Sequence, residues 1–312
     1  MWKASLKNGA ITGLKTTWTL GKIIFPVTLI VVMLQHTPIL PWIIARIEPY
    51  MGFIGLSGDA AIPLVLGMFL NLYAAIAGVL SVELTVKEVF IIAMMLSFSH
   101  ALLIESAVAM KVGVKIWIVL TIRLSLALIS ALIIHLVWNG GQEMAQYGML
   151  TMETKQATDI LSIATIGLQK ASLGVFQLAM IVIPLMVGIQ LLKDYQWLGA
   201  FSRMMAPFTK LLGMKENTST TMAAGLIFGL SYGAGVMLQA VKEDGVSKKD
   251  ITLAFVFLVT CHAVIEDTLI FLPLGIPVLP LLIIRLITAI ALTIGVATVW
   301  KKLEAKEEGK AA

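Results

Sequence analysis

The chain has 312 residues, of which 59% are hydrophobic and 13% charged, with a net charge of +5. A soluble domain carries about 25% charged residues, so a soluble enzyme is excluded in favour of a polytopic membrane protein. The basic residues lie between apolar runs rather than in one patch, which argues against a nucleic-acid partner, and the single cysteine, Cys261, excludes an intrachain disulfide or a multi-cysteine zinc site.

In chain order, Lys3, Lys7 and Lys15 precede an apolar run at 18–36. No small-residue cleavage site follows it, so it reads as a retained first span and not a signal peptide. A stretch at 40–50 with Pro, Arg and Trp reads as a short helix on the membrane surface. Segment 59–80 is rich in Gly and Ala and reads as a re-entrant helical hairpin. Runs at 88–110 and 116–138 are long enough to span. A polar external connector follows at 139–168. The order then recurs: a span at 171–192, a surface helix at 196–212, a Gly/Ser/Thr-rich hairpin at 218–241, and spans at 250–272 and 278–299. Residues 301–312 form a charged tail.

The recurrence is a repeat. Shifted by 158 positions, Pro26 falls on Pro184, Pro49 on Pro207, Gly55 on Gly213 and Gly67 on Gly225. With a shift of 162, His100 falls on His262, Glu105 on Asp267 and Arg123 on Arg285. The repeats are placed at 1–138 and 169–300. Re-entrant hairpins put 16 basic residues on the cytoplasmic side against 4 outside, whereas hairpins that crossed fully would give 13 against 7. The stronger bias favours re-entry and places both termini in the cytoplasm. Three spans per copy turn the second copy upside down. The expected fold is therefore all-α, with six transmembrane helices and two re-entrant hairpins in two inverted repeats. Repeats of this kind around buried ionisable residues mark secondary transporters, with a midplane site between the repeats.

The candidate site residues are the polar ones within apolar segments. His100 and His262 lie midway along 88–110 and 250–272. An imidazole at that depth binds substrate or ion, relays a proton, or hydrogen-bonds a neighbouring helix. Glu105 with Arg123, and Asp267 with Arg285, fall at matched depths on adjacent antiparallel helices and are expected to pair and brace them. Glu266 has Ile104 as its counterpart in the first copy and is the candidate coupling carboxylate. Asn71, inside a small-residue helix, needs a partner for its amide. Asn71 and Ser231 are expected to line the cavity. Asn217 is a candidate substrate ligand, although it and its counterpart Asp59 also suit helix caps. Tyr73 and Tyr232 offer a ring and a hydroxyl. No enzymatic nucleophile–base set, Walker motif or His-Glu-x-x-His motif is present, and no cofactor is expected.

With its hairpin segment G-D-A-A-I-P-L-V-L-G-M-F-L-N-L-Y-A-A-I-A, the chain resembles the nucleoside recognition or Gate family of bacterial membrane proteins, one unit per half. That family includes the spore maturation proteins A and B and the membrane part of ferrous iron transporter B, and more distantly concentrative nucleoside transporters. The resemblance implies an inner-membrane location and an inverted-repeat core. A nucleoside or nucleobase is the first expected cargo and a divalent cation the second. A non-transporting assembly or signalling protein is the rival class, and a homo-oligomer is compatible with either. Ferrous iron transporter B carries a hairpin cysteine and a GTPase domain; here Gly58-Asp59-Ala60 stands in that region, and there is no P-loop.

Overall fold

A computed structural model describes residues 2–35, 37–147, 159–195, 197–243 and 245–311. Every regular element among them is helical. In order they are α1 (Trp2–Gln35), α2 (Ile39–Gly52), α3 (Ala61–Phe69), α4 (Leu72–Ser81), α5 (Val86–Ser99), α6 (Leu102–Lys111) and α7 (Ile116–Val137). The second half holds α8 (Ile160–Asp194), α9 (Trp197–Leu211), α10 (Ser219–Glu243), α11 (Lys248–Leu258), α12 (Glu266–Leu269) and α13 (Val278–Ala311). Part of the expected connector, 148–158, lies outside the described residues.

Among the described residues, three helical stretches are long and apolar enough to cross a membrane: Val86–Lys111, Ile116–Val137 and Val278–Lys306. The first is almost wholly buried, while the other two expose most of their length. Leu128, Ile129, Ile133 and Leu136 on α7 all face outward, which is stable only against lipid or another apolar surface. The expected spans at 18–36 and 171–192 fall within α1 and α8, helices of 34 and 35 residues. The expected span at 250–272 is not one helix. It stops at Leu258 and resumes only at Glu266.

The chain folds into two compact units, and these are not the two repeats. The first comprises Met1–Leu102, Ser125–Leu191 and Glu266–Leu281; the second comprises Leu103–Leu124, Leu192–Ile265 and Leu282–Ala312.

In the first unit α3 and α4 form an antiparallel helical hairpin where the sequence placed one. Gly78 lies so close to Pro63 that an added Cβ would sit 2.9 Å from the proline Cα. A Cβ on Gly67 would sit 2.9 Å from that of Ala75 and would collide with the Leu96 side chain on α5. The small residues that suggested a hairpin are thus the ones that let its two arms and α5 close together. In α1, Gly9 and Gly13 abut the backbone of Val187 and Ile183 on α8, a small-xxx-small contact. The start of α5 carries a capping box: the Thr85 hydroxyl accepts from the Glu88 amide, and Glu88 accepts from the Thr85 amide at 2.8 Å. The connector folds back on that end, where the Val86 and Lys87 amides donate to the carbonyls of Glu143 and Gly141.

In the second unit α10 packs on α9 and α11. A Cβ on Gly225 would come within 2.5 Å of Leu258 on α11, the same close approach that Gly67 makes in the first copy. Helix α10 is broken at Gly229 (φ 73°, ψ 178°), a conformation open to glycine, so it too has two arms. Ser247 caps α11 by accepting from the Asp250 amide at 3.1 Å, the counterpart of the Thr85 cap. Helix α9 turns Ser202 inward against Ser219 and Thr220 (3.1 and 3.2 Å) and leaves Trp197, Met204 and Leu211 exposed. That apolar outer face suits a helix lying at a membrane interface.

Candidate functional site

Both histidines sit at breaks in their helices, where continuous helices were expected. Helix α5 ends at Ser99, His100 is its extended C-cap (ψ 159°), and Ala101 has φ 46°. In the second copy Ala263, next to His262, has φ 40°. These two alanines are the non-glycine residues of positive φ among the described residues. An L-residue there is strained, so other contacts must hold it. The hairpins supply them. The Ala101 amide donates to the Gly67 carbonyl at 2.8 Å, and the Ala263 amide to the Gly225 carbonyl at 3.1 Å. Nothing in S-H-A or C-H-A, which lack Gly and Pro, signals either break. Discontinuous helices free backbone groups and side chains for ligands at membrane depth.

In the first unit His100 is buried, and its Nδ1 lies 2.8 Å from the Leu96 carbonyl, which accepts the ring N–H. Its other ring nitrogen, Nε2, lies 3.9 Å from Asp267 Oδ2. Glu266, beside Asp267 at the start of α12, accepts a hydrogen bond from the Tyr73 hydroxyl at 2.5 Å. His100, Asp267, Glu266 and Tyr73 are all less than a tenth exposed.

In the second unit His262 repeats the first step: its Nδ1 lies 2.7 Å from the Leu258 carbonyl. Its Nε2, however, lies 3.0 Å from Glu105 Oε1, within hydrogen-bond range. Glu105 is also held by Arg123 at 2.8 Å, and both are buried. Arg285, fully buried, donates to the His262 carbonyl at 2.9 Å. The expected Glu105–Arg123 pair is therefore formed. The histidine–carboxylate pairings were not expected: in each unit a histidine of one copy meets the carboxylate of the other copy.

The remaining candidates divide. Asn71 is not inside a helix as expected. It is the N-cap of α4 at the hairpin tip, and its Oδ1 accepts from the Ala74 amide at 2.9 Å. Neither Asp59 nor Asn217 caps a helix; each is the middle residue of a short 3₁₀ turn, Gly58–Ala60 and Glu216–Thr218. Asn217 instead donates to the Gly245 carbonyl at 3.4 Å. The side chains of Ser231 and Tyr232 lie outside the described residues. Of the ring and hydroxyl that Tyr73 offers, the hydroxyl binds Glu266, the predicted coupling carboxylate.

The Gate family, described as nucleoside recognition, matches residues 17–115 and 175–293. The chain belongs to the Gate family. The uncharacterized membrane protein YvoD of Bacillus subtilis (strain 168) is 59% identical over 304 residues, covering 97% of each chain. Each Gate block contains one histidine break, at Ala101 and at Ala263, so the broken helix is part of the Gate unit here. Arg123 falls between the two blocks. Family and apolar helices together make this a bacterial multi-pass membrane protein.

Proposed function

We propose that this Gate protein is a secondary transporter whose cargo is a first-row divalent cation, bound at the broken helices. The single observation behind the choice is the His100–Asp267 arrangement. Imidazole Nε2 faces carboxylate Oδ2 at 3.9 Å, with the other ring nitrogen tied to a carbonyl. Metal-binding histidines are oriented in this way. Two ligand atoms about 2.1 Å from one tetrahedral ion stand about 3.4 Å apart, so a closure of about half an ångström would seat the ion. Imidazole with carboxylate suits manganese, iron, cobalt or zinc, and the lack of thiolate ligands argues against copper(I). His262 and Glu105 offer a further buried set of donor atoms, braced by Arg123.

In this reading the chain has six spans and two re-entrant hairpins in inverted repeats, with both termini cytoplasmic. The resemblance to the membrane part of ferrous iron transporter B favours the same class of cargo. The second reading, a nucleoside or nucleobase, rests on the family description. The hairpin-tip Asn71 and the Tyr73 ring would serve it. In a spore-maturation-type assembly protein, function would survive loss of the central polar residues.

A ligand panel on detergent-purified protein separates these readings, because a ligand that binds only the folded state raises its melting temperature. A rise with Mn²⁺ or Co²⁺ that disappears in His100→Ala supports the cation. A rise with a nucleoside alone overturns it.

A further inference from the structure

The Tyr73–Glu266 bond has no counterpart in the other half of the chain. Tyr73 aligns with Ser231 and Glu266 with Ile104, so neither partner is repeated. Structural features of the fold recur in both copies: the helix caps, the close glycines and the strained alanines. A buried pair built from one hairpin of the first copy and one helix of the second needs another explanation.

Glu266 and Asp267 are adjacent, buried carboxyl groups, and Glu266 is within electrostatic reach of both Asp267 and His100. Two neighbouring carboxylates with little solvent repel each other, and a divalent cation relieves that repulsion. His100 and Asp267 supply two ligand atoms, whereas protein sites for such ions usually supply three or more. Tyr73, the second residue of α4, holds the missing carboxylate. Helix α4 is itself fixed by its Asn71 cap and by its packing on α3 and α1.

We propose that Glu266 is the third protein ligand for the cation and that Tyr73 holds it in reserve. The inference rests on the cation reading of His100 and Asp267. In the empty state Glu266 accepts the Tyr73 hydroxyl. When the ion arrives, the carboxylate turns to it and releases Tyr73. Occupancy is thereby reported to the hairpin tip at residues 70–71. A hydrogen bond to a charged group and the new metal bond compete for one carboxylate, so loss of the first strengthens the second.

The test is Co²⁺ titration of the purified full chain, read by calorimetry and by the visible absorption that reports cobalt coordination. Tyr73→Phe keeps the ring and removes the hydroxyl, and is expected to bind Co²⁺ about tenfold more tightly. Glu266→Gln keeps a hydrogen-bond acceptor for Tyr73 and is expected to bind about tenfold or more weakly, with a changed cobalt spectrum. In the Glu266→Gln background, Tyr73→Phe should have no further effect. Unchanged affinity in Tyr73→Phe, or a gain that persists without Glu266, overturns the exchange while leaving the site intact. Wild-type protein that binds no Co²⁺, or Asp267→Asn that binds as well as wild type, overturns the cation reading itself. Each variant's melting temperature without metal confirms that it is folded.

Discussion

Replacing Ala101 by glycine distinguishes a broken helix from a continuous one by the sign of the effect. Ala101 has φ 46°, where an L-side chain costs about 1–2 kcal/mol. Glycine removes that cost, while the freer unfolded chain offsets about 0.4–1 kcal/mol of the gain. The bond from its amide to the Gly67 carbonyl involves only backbone and survives. Ala101→Gly should therefore leave stability unchanged or raise it by up to about 1.5 kcal/mol. In an unbroken helix the same change costs about 1 kcal/mol. Ala291, exposed within α13, is the control for that cost. For a chain this long about 2 °C accompanies each kcal/mol, so the two variants should differ in melting temperature by about 2–5 °C. The assay is thermal unfolding in detergent, followed by the fluorescence of the seven tryptophans. If Ala101→Gly falls in step with Ala291→Gly, the strained break is refuted.

Arg123→Met should cost about 3–5 kcal/mol, because it strands Glu105 in a buried site; Arg123→Met with Glu105→Gln should recover part of that loss in the same unfolding assay. Gly229→Ala should destabilise by about 1–2 kcal/mol, since φ is 73° and the new methyl would sit 3.1 Å from the Ala263 Cβ. Thr85→Ala removes a capping box and should cost about 1 kcal/mol, with faster hydrogen exchange at the first turn of α5 as its local readout. Burial, together with Glu48 and Glu88, pushes the Asp59 carboxyl above its ordinary range. Its folded value then exceeds its unfolded one, so its contribution is favourable at low pH and is lost as pH rises through the folded value. Asp59→Asn, the residue type at the second copy's counterpart Asn217, should raise the melting temperature at neutral pH, and the gain should fade on acidification. A gain that does not change with pH would argue against this electrostatic origin.

Composition alone decided that the chain belongs in a membrane, because so many apolar residues and so few charges leave no stable soluble surface. The small residues of 59–80 and 218–241 marked two close-packed segments, a helical pair in the first copy and the broken helix α10 in the second, since Gly and Ala have one main use in apolar helices, the close approach of backbones. Gly67, Gly78 and Gly225 make that approach. The Glu105–Arg123 pair was also legible, because a buried carboxylate and guanidinium at matched depth have few other partners. The histidine breaks were not legible. Local sequence at Ser99-His100-Ala101 is compatible with helix, and the positive φ is imposed by a carbonyl of the hairpin, far away in sequence. Asn71 was misplaced for the same reason: its helix-interior pattern is overridden where the hairpin turns. The tertiary structure also decided which carboxylate each histidine meets. Repeats fix which residues correspond, but chain packing decides which copies touch, and here it crosses them: His100 with Asp267, His262 with Glu105. The Tyr73–Glu266 bond spans 193 residues and both copies, so no local pattern could encode it.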